Sequence, residues 1–123
     1  MHIIVNKLNH ADIAPIKGGY RLNESWIAKL TLNGSKEFFL IEEGFTHDGA
    51  SVPRGFRWLI ERDGIHRESA LLHDYLYENK GFGSLTRKDC DQIFRECLKF
   101  QQLPKWKRIL MYVAVRSGGK LYW

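Results

Sequence analysis

The sequence predicts an α+β fold, and three observations carry that expectation. Residues 1–43 hold short runs of alternating apolar residues, residues 65–123 switch to helical spacing, and the stretch between them is dense in glycine and shows neither period. At 123 residues, 44% of them hydrophobic and 27% charged, the chain reads as a single domain (1–123) able to bury its own core. The expected layout is an N-terminal antiparallel sheet with a β-hairpin (1–43), a long ordered loop (44–64) and three helices (65–123), the first two forming an antiparallel pair.

The hairpin is the clearest element. Trp26-Ile27-Ala28-Lys29-Leu30-Thr31-Leu32 places apolar residues on alternate positions, Asn33-Gly34 supplies two residues that tolerate positive φ, and Glu37-Phe38-Phe39-Leu40-Ile41 returns. Ile3 to Leu8 and Tyr20 to Leu22 read as further strands, separated by a turn around Pro15 and Gly18-Gly19. From Gly44 to Gly64 the punctuation thickens, with Phe45, Phe56 and Trp58 as aromatic anchors; a loop of this length inside a compact domain is more often functional than not.

Helical spacing starts at about Ile65 and runs to Asn79, where Gly81 and Gly83 act as stop signals. Thr86-Arg87-Lys88-Asp89 has the spacing of a capping box and opens a second helix with Cys90, Ile93, Phe94, Cys97 and Leu98 on one face. Pro104 opens the third, which is expected to bury Trp106, Ile109, Leu110 and Val113 before Gly118-Gly119. The short link from Lys80 to Leu85 predicts that the first two helices are antiparallel neighbours.

Charge and cysteine content narrow the functional classes. A net charge of +5 favours polyanionic surroundings, anionic lipid among them, but the basic residues are too scattered to predict a nucleic-acid stripe. Cys90 and Cys97 are seven apart on one helix, which separates their Cα atoms by roughly 10 Å, too far to bridge; both are expected to be free and buried. The N-terminus lacks the basic and long apolar stretches of an export signal, and no run reaches the ~18 apolar residues of a membrane span, so a cytosolic protein is expected.

His73 and Asp74 stand inside the apolar run Ala70-Leu71-Leu72-His73-Asp74-Tyr75-Leu76-Tyr77, a costly place for ionisable groups unless both are satisfied. Adjacent helical residues point ~100° apart, so the two serve different partners. Tyr77 shares the face of His73 one turn on, and Asp91, at the edge of the second helix's apolar stripe, is placed to accept from the imidazole. Asp48-Gly49 would add a carboxylate and a carbonyl, which with Asp74 make an oxygen-only set suited to Ca²⁺. A purely structural network of His73, Asp74, Tyr77 and Asp91, and an ordinary turn at Asp48-Gly49, are the competing readings. A transition-metal hydrolase using His47, His66 and His73 is a weaker one, because His66 and His73 lack the i, i+4 spacing of paired ligands.

Thr46-His47-Asp48-Gly49-Ala50-Ser51-Val52-Pro53, Gly55-Phe56, His73-Asp74-Tyr75-Leu76-Tyr77-Glu78-Asn79, Arg87-Lys88-Asp89-Cys90-Asp91-Gln92-Ile93-Phe94 and Tyr112-Val113-Ala114-Val115-Arg116 together resemble the bacterial and fungal secreted phospholipase A2 family over roughly the last 80 residues. The whole chain also resembles an uncharacterised domain family of tailed phages and prophages, marked by the Asp-Gly-Ala-Ser-Val-Pro loop and the His-Asp-Tyr-Leu-Tyr helix. The phospholipase resemblance implies that His73 is a general base acting on water, that Asp91 orients it with Tyr77 behind, and that Asp48, Gly49 and Asp74 hold Ca²⁺. An anionic phospholipid surface is the partner implied. Those secreted enzymes are stapled by disulfides and lack the N-terminal sheet. The alternative expectation is therefore a non-enzymatic phage protein that keeps the fold as a virion or tail component or to bind a host protein.

Overall fold

The computed structural model of the protein describes residues 1–47, 67–118 and 123. Its element order is β1 (Ile3–Leu8), β2 (Ile13–Ile16), β3 (Gly19–Leu22), β4 (Trp26–Leu32), β5 (Ser35–Ile41), β6 (Thr46–His47), α1 (Arg67–Glu78), a 3₁₀ turn (Lys80–Gly83), α2 (Arg87–Phe100) and α3 (Lys105–Gly118). The α+β layout expected from the sequence is therefore present. Among the described residues the strands of the N-terminal part form two three-stranded antiparallel sheets, ordered β1-β4-β5 and β2-β3-β6.

The hairpin forms as its alternation dictates. β4 pairs antiparallel with β5 from Trp26↔Ile41 to Leu32↔Ser35, turning at Asn33 (φ 51°) and Gly34 (φ 84°). Trp26, Ala28, Leu30 and Leu32 are all buried, while Ile27, Lys29 and Thr31 on the other face are only partly covered. β1 pairs on the far side of β4, with a register shift between Val5 and Lys7; the side chain of the intervening Asn6 accepts from Thr31 Oγ1 at 2.7 Å.

Two expectations about this half need correction. Pro15, read as part of a turn, lies inside β2 and pairs with Tyr20. An edge strand tolerates it, because its missing N–H is not needed by a second neighbour. The loop expected from residue 44 onward includes a short strand: β6 pairs with β3 through Tyr20↔His47 and Arg21↔Thr46. Gly44 makes that possible. Its φ of 92° turns the chain back after β5, and its N–H donates to Leu22 O while Leu22 N–H donates to Phe45 O, both at 2.8 Å. The remainder of that loop, residues 48–64, and the start expected for the first helix at Ile65 lie outside the described residues.

α1 and α2 run antiparallel. Ser69 near the start of α1 bonds Gln101 just beyond the end of α2, and Tyr77 near the end of α1 meets Arg87 at the start of α2. The capping box holds in both directions: Asp89 N–H donates to Thr86 Oγ1 at 3.1 Å, and Thr86 N–H to Asp89 Oδ2 at 3.0 Å. Gly81 in the connecting turn is confined on two counts. Its φ is +66°, and a Cβ there would lie 2.9 Å from Leu85 Cβ and 3.3 Å from the Trp123 ring.

One buried cluster joins Leu22, Trp26, Ala28, Leu30 and Ile41 of the sheets to Leu71, Leu72 and Leu76 of α1 and to Cys90, Ile93 and Cys97 of α2. A second, formed by Phe94, Leu98, Leu103, Met111 and Val115, welds α3 onto α2. Both cysteines are free and buried, as their spacing requires, and burial pushes each thiol up to about 12.

α3 does not bury the face expected. Met111, Ala114 and Val115 point into the core and Leu110 is half-buried, whereas Trp106, Ile109 and Val113 are 60%, 51% and 52% exposed. Apolar residues go most of the way round this helix, so periodicity alone does not select a side. None of the described helices is long and apolar enough to cross a membrane.

Candidate functional site

His73 and Asp91 meet at the centre of the α1–α2 interface. Their helical positions dictate this, since His73 faces α2 halfway along α1, and Asp91 lies one turn into α2, beside Cys90 and Ile93 on the buried side. Nε2 of His73 stands 2.7 Å from Oδ1 of Asp91. The carboxylate can only accept, so Nε2 carries a proton. Tyr77 O–H donates to the same oxygen at 2.5 Å. The other oxygen accepts from Arg116 Nη1 at 2.9 Å, with Arg87 Nη1 3.5 Å away.

Burial by itself would push the Asp91 carboxyl up, but the donors from His73, Tyr77 and Arg116 outweigh it and hold the group below the usual carboxylate range. Asp91 is therefore an ionised carboxylate with none of its surface exposed. Tyr77 is pushed the other way, upward, chiefly by burial and then by the neighbouring Asp91, so its hydroxyl remains a donor. His73 is 1% exposed, and its ring lies against Tyr77 at 4.3 Å and Phe94 at 4.6 Å between centroids.

Arg87 does more than pair with Asp91. Its Nη1 and Nη2 donate to the carbonyls of Val115 and Arg116, each at 3.2 Å, and Nη1 also reaches Tyr77 Oη at 3.4 Å. A guanidinium at the carbonyl end of α3 is favoured by the helix dipole, and its planar fork serves several acceptors at once. In consequence the last turn of α3 is pinned to the first turn of α2, which delivers Arg116 to Asp91. Neither arginine had a role assigned from sequence. Each stands 4 or 25 residues from Asp91, and only the folded α2–α3 contact brings Arg116 within reach.

Asp74 points to a different partner from His73, as the ~100° offset between helical neighbours requires. Its Oδ2 accepts from Nδ1 of His47 at 2.7 Å. β6 carries His47 there, and the imidazole is stacked between Tyr20 (5.5 Å) and Phe45 (6.0 Å). Among the described residues, Oδ1 of Asp74 and Nε2 of His47 are buried without a hydrogen-bond partner. A buried carboxylate oxygen left unbonded is costly, so Oδ1 has free capacity for a cation or a donor.

His73, Tyr77 and Asp91 are thus brought together, with Asp74 held apart on a second His–carboxylate pair that the sequence reading did not foresee. Asp48 and Gly49, the other two oxygen ligands expected for Ca²⁺, lie outside the described residues, as does His66. Among the described residues no three His, Cys, Asp or Glu side chains form a group that could hold a metal ion. His47 and His73 do not share a site: each is committed to its own carboxylate.

No curated protein and no solved structure matches the chain. One family does match, over residues 21–115, a span that takes in both His–carboxylate pairs, and the chain belongs to that family, described as "Protein of unknown function (DUF1353)".

Proposed function

We propose that the chain is a hydrolase of carboxylic esters, of phospholipase A2-like type and of phage or prophage origin, acting on a lipid substrate. The observation that supports it best is the sharing of one Asp91 oxygen by His73 Nε2 and Tyr77 Oη, at 2.7 and 2.5 Å. Asp91 fixes the tautomer, so Nδ1 is the atom that takes a proton from water as the hydroxide attacks the ester carbonyl. The ionised Asp91 then stabilises the imidazolium, and Tyr77, Arg116 and Arg87 keep Asp91 ionised and still. Asp74, with the Asp48 side chain and the Gly49 carbonyl, is the set proposed to hold Ca²⁺. The unpartnered buried Oδ1 of Asp74 fits that role, with Oδ2 kept for His47. When bound, the ion supplies positive charge that polarises the ester carbonyl.

Hydrolysis of phosphatidylglycerol vesicles and of a short-chain chromogenic ester, with Ca²⁺ or with chelator, tests the reading. Wild type is expected to hydrolyse at least one of them in Ca²⁺ only, and His73→Gln to lose that activity while remaining folded. A fully active His73→Gln variant would sink it.

The burial of His73 supports a second reading, in which the network is a structural tie in a non-enzymatic phage protein, a virion component or a binder of a host protein. A base must meet water, and this ring is 1% exposed with aromatic rings on it. On that reading wild type hydrolyses neither substrate, and substitutions at His73 or Asp91 only lower the melting temperature.

A further inference from the structure

The exposed face of α3 combines two independent features. Trp106, Ile109 and Val113 follow the i, i+3, i+7 spacing of one helical stripe and are all more than half exposed, and Phe100 at the end of α2 is exposed too. A contiguous apolar stripe of this kind on a helix that already has a buried face is what an interaction surface looks like. The second feature is charge. From Cys97 to Trp123 the sequence holds six of the chain's 19 basic residues, Lys99, Lys105, Lys107, Arg108, Arg116 and Lys120, and none of its 14 acidic ones. The remainder of the chain is close to neutral, so the net positive charge of the sequence comes from the segment that carries the apolar stripe.

We propose that this face of α3 docks on the surface of an anionic lipid bilayer, with Trp106, Ile109 and Val113 entering the headgroup boundary and Lys99, Lys105 and Lys107 meeting the phosphates. Charge complementarity selects the occupant. Two aliphatic side chains beside a tryptophan suit the acyl boundary of a membrane, where an amphipathic Trp ring is at home, and offer nothing to a phosphate backbone. Lys107 already lies over the Trp106 ring, 5.5 Å from its centroid, which holds one ammonium at the edge of the stripe. Arg116 does not take part, because its guanidinium is spent on Asp91. The docking surface stands without the hydrolase reading, since it needs neither His73 nor a cation.

The test uses the full chain in chelator, so that no turnover is required, with vesicles of phosphatidylcholine alone or mixed with phosphatidylglycerol. Cosedimentation is expected with the mixed vesicles only and should weaken as salt is raised. Lys99→Gln combined with Lys105→Gln should weaken binding about 25-fold, roughly fivefold for each basic residue removed near the surface. Lipids brominated on the acyl chain should quench tryptophan fluorescence in wild type, and Trp106→Phe should abolish most of that quenching. This readout leaves the fold untouched and so answers even if a double variant is unstable. Equal binding to both vesicle types, binding to neither, or quenching unchanged in Trp106→Phe would each overturn the proposal. Self-association that Ile109→Ser with Val113→Ser abolishes, without vesicle binding, would assign the stripe to a second copy and overturn it as well.

Discussion

Tyr77 and Asp91 are joined by a 2.5 Å hydrogen bond that closes the buried junction of α1 and α2, and the oxygen it uses is the one that also receives His73. Two donors on one carboxylate oxygen and two guanidiniums at the other make Asp91 the common point of three helices. Buried charges of this kind are tolerated only when their partners are complete.

Removing the Tyr77 hydroxyl should therefore show. Tyr77→Phe keeps the ring against His73 and Trp123 but takes away one donor to a buried carboxylate. Urea unfolding should register a loss of about 1.5–3 kcal/mol, the range for a hydrogen bond to a charged group. A loss under about 0.5 kcal/mol would mean that water replaces the hydroxyl and that the junction is wet.

Asp91 makes acid pH a probe of the same junction. Its carboxyl is held below the ordinary value in the folded chain, so as pH falls the unfolded chain takes up this proton first. The stability it contributes is complete above the unfolded value of about 4 and is lost as pH falls through the lower, folded value. Asp91→Asn lacks this contribution. Its melting temperature should lie well below wild type at neutral pH, by the equivalent of about 3 kcal/mol, and the gap should narrow below about pH 4. A gap independent of pH would show that Asp91 is not the ionised hub described.

How much of this was legible in the sequence follows from the distance over which each feature is set. Asn33-Gly34, the Thr86–Asp89 box and the His73–Tyr77 turn are local, and each appears where its spacing puts it. Asp91 was reachable because a short link forces two neighbouring helices to face each other. Arg116 and His47 were not, because no periodicity links a residue near the end of α3, or one in a two-residue strand, to a carboxylate 25 or 27 positions away. The face of α3 was misread for a related reason. Trp106 and Val113 are as apolar as Met111 and Val115, and only the packing of Leu98 and Phe94 on one side decides between them.

Gly81 gives a prediction about the turn that sets the α1–α2 register. Alanine there would place a Cβ 2.9 Å from Leu85 Cβ on a backbone with φ of +66°. Gly81→Ala should cost about 1–3 kcal/mol in a denaturant titration, from strain and crowding together. Unchanged stability would show that the turn can relax without moving Leu85 or Trp123.

The cysteines offer a measure of how firmly the helices close. Burial pushes both thiols up to about 12, so at neutral pH almost no thiolate is present in the folded chain. Reaction of Cys90 and Cys97 with a disulfide reagent should be slow and should accelerate with denaturant, because it waits for opening of the α1–α2 pair. Complete labelling within the mixing time under native conditions would refute a closed interface.

Adjacent residues with separate partners make the last prediction the most discriminating. His73 belongs to Asp91 and Asp74 to His47, so a change at one should leave the other's pair intact. If Asp74 holds Ca²⁺ as proposed, Asp74→Asn removes a charged ligand and should weaken Ca²⁺ binding by calorimetry at least tenfold, a difference of about 1.4 kcal/mol. His73→Gln should leave that affinity within about twofold of wild type, because its partner Asp91 faces another helix. Both variants should also melt earlier, by the equivalent of roughly 1–3 kcal/mol each, since each leaves a buried partner incompletely bonded. The split in affinity separates the proposals: a structural network predicts the lower melting temperatures alone, whereas a cation site at Asp74 predicts them together with the selective loss of Ca²⁺. Wild type that binds no Ca²⁺ at millimolar concentration would remove the cation from the site and leave Asp74 as the anchor of His47.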